Sequence, residues 1–372
     1  MAANALRLLC LSAVVAGTIA SFPADSSESQ GRQAVTATVA GSVKEPPAVK
    51  RAKFAAKPVA KRPAKARPRA QAPAAPNDPL WSSSWSLTKT HAVEAWKLTT
   101  GGPESVVAIL DTGVDLGHPD LQGSFVQGHD FVNGDGDPSD DQGHGTLVAG
   151  VVAARANNGL GGVGACSGCS LMPVKVIAGN GAGSASDIAA GISWAADNGA
   201  DVINMSFTLS GPDDGVRDAI EHAQRLGVLV VAAAGNSGTT ELTYPGAYAG
   251  VISVAGSDPS DARYDWSNFG GWVQVAAPGC NVSTGAGGAF GEFCGTSSAT
   301  AFVSGLVGLA RSLVGDRPSG EIVEKLTSSS TRVESFVAAG RVDADALLNS
   351  FRAEARQPSQ EPAAVQASTR SE

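Results

Sequence analysis

Cysteine is scarce: five residues in a chain of 372, and only Cys166, Cys169, Cys280 and Cys294 lie beyond the first twenty. The C-S-G-C spacing has the look of a zinc half-site, but Cys280 and Cys294 stand far apart with no histidine nearby, which argues against zinc and for disulfides. Three pairings are formally open, and proximity in sequence favours Cys166 with Cys169 and Cys280 with Cys294. The N-terminal apolar run, in MAANALRLLCLSAVVAGTIA, carries one basic residue, Arg7, and is too short to span a bilayer comfortably. It reads as a signal peptide cut near Ala20, against the alternative of an uncleaved anchor. The expected location is therefore secreted or periplasmic, with no transmembrane anchor after signal removal.

Large apolar residues almost vanish between residue 21 and about 79, where Ala, Pro and Lys/Arg dominate, as in KPVAKRPAKARPRAQAPAAP. Such a stretch cannot bury enough surface to offset its ordering entropy, so it is expected to be a disordered linker or pro-segment. Residues 21–80 hold 11 basic and 4 acidic side chains, whereas residues 81–372 hold 15 and 31, a formal charge of −16. The overall charge of −8 thus hides a basic arm on an acidic body. The arm could meet an anionic surface, but a solvated linker is the simpler reading and no nucleic-acid partner is expected. The tail after Phe351 is again polar and is expected to lack structure.

The intervening residues, 80–350, alternate between two periods. Short β-branched runs at 106–110, 171–176, 201–205, 228–233 and 251–255 are separated by helical patterns at 144–155, 186–198, 214–226 and 297–313. That alternation specifies an α/β domain with a mostly parallel central sheet and helices on both faces, a three-layer architecture. Ligands of such sheets bind at the carboxyl ends of the strands, so polar residues just past an apolar run are the candidates for chemistry.

Four such places stand out. Asp111 follows VVAIL directly. His144 sits between two glycines at the start of an apolar helical segment. Ser297 falls in the first turn of another, where unpaired N–H groups favour developing negative charge. Asn236 comes just after VLVVAAAG, where its amide could donate to an oxyanion. Each alone is as well explained by a cap, a turn or a structural histidine. Together they supply a nucleophile, a base and the group that orients the base. The order Asp, His, Ser excludes the α/β-hydrolase arrangement, whose G-x-S-x-G elbow is absent.

ILDTGVDLGHPDL (109–121), GHGTLVAG (143–150), AAAGNSG (232–238) and GTSSATAFVSG (295–305) resemble the four signature blocks of the subtilisin-like serine peptidases, and NDPLWSSSWSLTKTHAVEAW (77–96) resembles the start of the mature enzyme in the thermitase branch. The resemblance covers residues 78–345. It implies a subtilisin-like fold and a monomeric serine endopeptidase acting on proteins or peptides, with Asp111, His144 and Ser297 as triad and Asn236 as oxyanion donor. It also implies that substrate adds as a strand beside Asn204, Ser206, Phe207 and Thr208, with Ala234 and Gly235 lining a side pocket.

The sequence departs from that family in several places. Ser298 replaces a methionine, Ala301 a proline, Phe302 a histidine and Leu147 a histidine, while Phe207-Thr208 replaces the usual leucine-glycine pair. No foldable pro-domain precedes the body. The loop DFVNGDGDPSDDQG has two readings: a structural calcium site through Asn133, Asp135, Asp137 and Asp140, because clustered oxygen ligands suit a hard cation and the resemblance to the thermitase branch implies calcium there, or a solvated acidic turn. The loop at Asn157-Asn158 is a second candidate. Two other functions fit the same domain: a pseudopeptidase that binds without cutting, and a surface-attached binding protein in which the basic arm is the active part.

Overall fold

The computed structural model describes residues 75–356. The expected signal peptide, residues 21–74 of the basic arm and the tail from 357 onward lie outside the described residues. The boundaries of the body need two corrections. Residues 77–79, assigned above to the linker, are tied into the domain: Asp78 is buried and accepts the Asn157 N–H at 2.8 Å, and Asn77 accepts the Gly159 N–H at 3.0 Å. The body also runs past residue 350, because the last helix continues to Arg356 and buries Phe351.

The described chain opens with two short helices, α1 (Trp85–Lys89) and α2 (Ala92–Ala95), before β1 (Val106–Asp111) and β2 (His129–Asp130). Then come α3 (His144–Ala153), β3 (Ser170–Lys175), α4 (Ala185–Asp197), β4 (Val202–Met205), α5 (Asp214–Arg225), β5 (Leu229–Ala233), β6 (Ile252–Ser257) and β7 (Val275–Pro278). A hairpin of β8 (Cys280–Gly285) and β9 (Ala289–Cys294) leads into α6 (Thr296–Val314), followed by α7 (Ser319–Ser328), β10 (Gly340–Arg341) and α8 (Ala344–Arg356). Eight strands form one parallel sheet in the order β10-β7-β6-β5-β4-β1-β3-β2.

The strands are apolar throughout because both faces are covered. Along β1, Val107 and Ile109 join the cluster built with α3, α6 and α8, while Ala108 and Leu110 join the one built with α4 and α5. The apolar α6 is long enough to cross a membrane, but 83% of its apolar window is buried here against the sheet. Glycines bring α3 and α6 close, since a Cβ on Gly305 would lie 3.0 Å from the Val152 carbonyl oxygen. Strand order reverses around β1, which has β3 on one side and β4 on the other. The ends of β1, β4 and β5 therefore meet at the crevice where such sheets bind ligands.

The Gly-rich stretch 281–293, which in sequence has little to hold it, is an ordered antiparallel hairpin with Cys280 opposite Cys294. Those two cysteines are bonded, as are Cys166 and Cys169, which gives the pairing that sequence proximity favoured.

Candidate active site

Asp111, fully buried at the end of β1, places Oδ1 2.8 Å from His144 Nδ1 and accepts the Thr112 N–H on the same oxygen at 2.8 Å. His144 opens α3. The cap before it, Gly143, has φ +107°, and a Cβ on Gly145 would lie 2.0 Å from the Gly113 carbonyl oxygen, so the close approach of helix and strand end requires glycine. The Phe293 ring of the hairpin stands edge-on to the imidazole at 5.3 Å. With Nδ1 on the carboxylate, Nε2 is left buried and without a hydrogen-bond partner in the protein. That is the free acceptor a general base needs.

Ser297 lies in the first turn of α6 and lines a cleft of about 150 Å³ together with Ser206, Phe207, Thr208, Ala233, Gly235, Asn236, Ser237 and Thr296. Its hydroxyl donates to the Ser206 carbonyl at 2.8 Å. The neighbouring Ser298 hydroxyl instead accepts from Asn281 Nδ2 at 2.8 Å, inside the protein, so only one of the two adjacent hydroxyls faces the cleft. Asn236 Oδ1 accepts from the Thr296 N–H at 2.8 Å and from the Thr296 hydroxyl at 2.9 Å. This fixes the carboxamide and leaves Nδ2 as its donor for the cleft, beside the first-turn N–H of Ser297.

A buried Asp–His pair, a serine at a helix start and an oriented asparagine share the C-terminal edge of one parallel sheet, and residues 102–346 match the Subtilase family model. The chain belongs to the subtilase family. It is 38% identical over 274 residues to thermitase of Thermoactinomyces vulgaris, covering 72% of this chain and 97% of thermitase. It is 41% identical over 239 residues to the thermophilic serine proteinase of Bacillus sp. (strain AK1), covering 64% of this chain and 60% of that protein. Among solved structures, a protease from Pseudoalteromonas arctica superposes with a TM-score of 0.70 at 32% identity, over 74% of this chain and 99% of the other. These relationships make the protein a subtilisin-like serine peptidase.

Within this subtilase, the expected cleft residues divide. Ser206, Phe207, Thr208 and Gly235 line the cleft. Asn204 does not: it belongs to β4, inside the sheet, where its amide donates to the Ser206 hydroxyl and accepts from the Ser304 hydroxyl, both at 2.9 Å. Ala234 is also buried away from it, and Ala233 takes its place in the lining. Sequence reasoning missed Lys175, whose buried Nζ donates to the Thr112 carbonyl at 2.7 Å and to Asp141 at 2.6 Å. A lysine inside the apolar run LMPVKV was the available signal.

The expected cation ligands of the 130–143 loop do not converge. Asp135, Asp137 and Asp140 form no common cluster, because the loop spends their oxygens on its own N–H groups. Asp140, half-buried, turns its carboxylate toward the helix start. Its Oδ1 accepts from the Thr112 hydroxyl at 2.8 Å and from the Gln142 and Gly143 N–H groups at 3.0 and 2.7 Å, and its Oδ2 from the Thr146 N–H at 2.9 Å. Asn133 donates to Asp130. The second loop differs in leaving one buried carboxylate oxygen without a partner. There Asp120 is buried with Oδ2 unpartnered, Asn158 Nδ2 meets its other oxygen at 2.6 Å, and Asp78 accepts from the Asn157 and Asn158 N–H groups. Burial above all, with the charge of Asp78 adding to it, pushes the Asp120 carboxyl from 3.8 up to about 6. The one compact group of metal-ligating atoms found among the described residues, Cys280, Glu292 and Cys294, offers no thiolate, since both sulfurs are bonded to each other.

Proposed function

We propose that this subtilase is an exported serine endopeptidase that cleaves peptide bonds through an acyl-enzyme formed on Ser297. The observation that carries the reading is the buried Asp111–His144 pair with an unpartnered Nε2, on the same sheet edge as a Ser297 hydroxyl that, unlike that of Ser298, faces the cleft. Substrate backbone enters beside Ser206 to Thr208. Its N–H groups compete for the Ser206 carbonyl that now accepts the Ser297 hydroxyl, and rotation about the Ser297 side chain brings Oγ to Nε2. His144 takes the proton as Oγ attacks the scissile carbonyl, and Asp111 stabilises the imidazolium. Asn236 Nδ2 and the Ser297 N–H receive the oxyanion, and His144 then returns the proton to the leaving amine. Water, activated by the same imidazole, hydrolyses the ester.

Export rests on the signal-like residues 1–20, and the two disulfides agree with an oxidising compartment. A calcium ion fits the Asp120 site better than the 133–140 loop: one carboxylate oxygen there is buried and unpartnered, and a divalent charge would relieve it.

The test compares Ser297→Ala with Ser298→Ala against a protein substrate. Ser297→Ala should remove nearly all turnover and all labelling by a serine-directed organophosphonate. Ser298→Ala should keep most of both. Equal losses would overturn the assignment, and a wild type that neither cuts nor labels would return the pseudopeptidase reading.

A further inference from the structure

The segment that carries Asn236 leaves the sheet at Ala233, and beyond Ala234 no strand partner holds it. Besides bonds from the Gly235 N–H to the Thr296 hydroxyl at 3.1 Å and from the Gly238 N–H to the Trp266 carbonyl at 2.9 Å, it is held by Asn268, in the connection between β6 and β7. Asn268 is buried, and its side chain spends its donor and its acceptor on this segment: Nδ2 donates to the Ala234 carbonyl at 2.9 Å, and Oδ1 accepts the N–H groups of Ser237 and Thr239 at 3.0 and 3.1 Å. The Asn268 N–H adds a bond to the Gly235 carbonyl at 2.9 Å. These contacts flank Asn236 on both sides and none touches it. Gly235 makes the approach possible, with φ +101° and room for no Cβ, which would lie 2.6 Å from Asn268 Nδ2.

Only an amide of this length offers the required donor and acceptor together. Aspartate would set an oxygen against the Ala234 carbonyl, and serine would fall short. Asn268 is also pinned from behind. The Ser267 hydroxyl donates to the Asn268 carbonyl at 3.0 Å and accepts the Gly256 N–H at 2.9 Å. Thr296 fixes the Asn236 side chain and one backbone N–H, that of Gly235, whereas Asn268 fixes the backbone on both sides of Asn236.

We propose that Asn268 is the positioning residue of the oxyanion loop, touching no substrate atom and acting on turnover through Asn236. The inference rests on the oxyanion role proposed for Asn236. A donor displaced from the oxyanion costs rate without costing ground-state binding, so Asn268→Ala should lower kcat by about tenfold or more while KM moves by less than about threefold. The deciding experiment is a double-mutant cycle with Asn236→Ala, each rate being normalised to the active sites titrated by organophosphonate. In the Asn236→Ala background, Asn268→Ala should cost less than about twofold, because the donor it positions is gone. Equal fold-losses in both backgrounds would overturn the proposal. Should Asn268→Ala fail to fold, Asn268→Asp serves in the same cycle, since it keeps the acceptor for Ser237 and Thr239 and replaces the donation to Ala234 with an oxygen–oxygen repulsion. An Asn236→Ala protein with unchanged kcat would sink the oxyanion role itself, an outcome read from that variant alone.

Discussion

Replacing Asp140 with alanine separates two accounts of one carboxylate. In sequence it counted among calcium ligands; in the structure it clamps the end of β1 to the start of α3, between Thr112 on one side and Gly143 and Thr146 on the other. The substitution removes a capping acceptor for the first turn of α3, worth about 1–2 kcal/mol. It also removes a negative charge at a helix N-terminus, worth about 0.3–1 kcal/mol. Together these come to roughly 2 kcal/mol, which for a domain of this size lowers Tm by about 4–8 °C. The loss of the Thr112 bond also frees the loop that follows Asp111, so kcat/KM should fall by about tenfold, equivalent to ~1.4 kcal/mol of transition-state stabilisation. Melting is measured in a Ser297→Ala background, which prevents self-digestion, with calcium and with chelator. A clamp predicts the same Tm deficit in both solutions. A deficit present with calcium and absent in chelator would refute the clamp and restore Asp140 as a ligand.

Three further outcomes are expected. Thr208 lines the cleft, its Cγ2 lying 3.4 Å from where a Cβ on Gly235 would stand, so Thr208→Gly should widen the cleft and broaden the peptides cut; an unchanged cleavage profile across a peptide library would place specificity elsewhere. In chelator, Asp120 binds its proton more tightly in the folded state (about 6) than in the unfolded state (about 3.8), so it should take away ~3 kcal/mol of stability as pH rises from about 4 to about 6. Added calcium, or Asp120→Asn, should flatten that dependence in thermal melts, and a wild-type slope unchanged by both would refute the site. The Cys280–Cys294 bond closes a loop of about 15 residues, so Cys280→Ser should cost at most about 3 kcal/mol, less whatever the hairpin pairing retains. Non-reducing peptide maps should link the two fragments, and free thiols at both positions would contradict the structure.

The alternation of β-branched runs with helical periods fixed the parallel sheet from sequence alone, because a strand buried on both faces must be apolar along its whole length. The same logic located Asp111, His144, Ser297 and Asn236, each standing where an apolar segment begins or ends. Short or weakly patterned elements escaped: β2 and β10 are two residues each, and the glycine-rich β8–β9 hairpin has little β-branched character for its length. What sequence could not determine is which polar side chain meets which partner. Asp140 and Asp120 read alike as loop carboxylates, yet folding surrounds one with N–H and hydroxyl donors and leaves the other with a bare buried oxygen. Asn268 lies 32 residues beyond Asn236, and nothing local marks it; only the adjacency of β5 and β6 brings the two segments together. Hydrophobic period is a local property of the chain and survives in one dimension, whereas hydrogen-bond complementarity exists only between segments that the tertiary fold has already made neighbours.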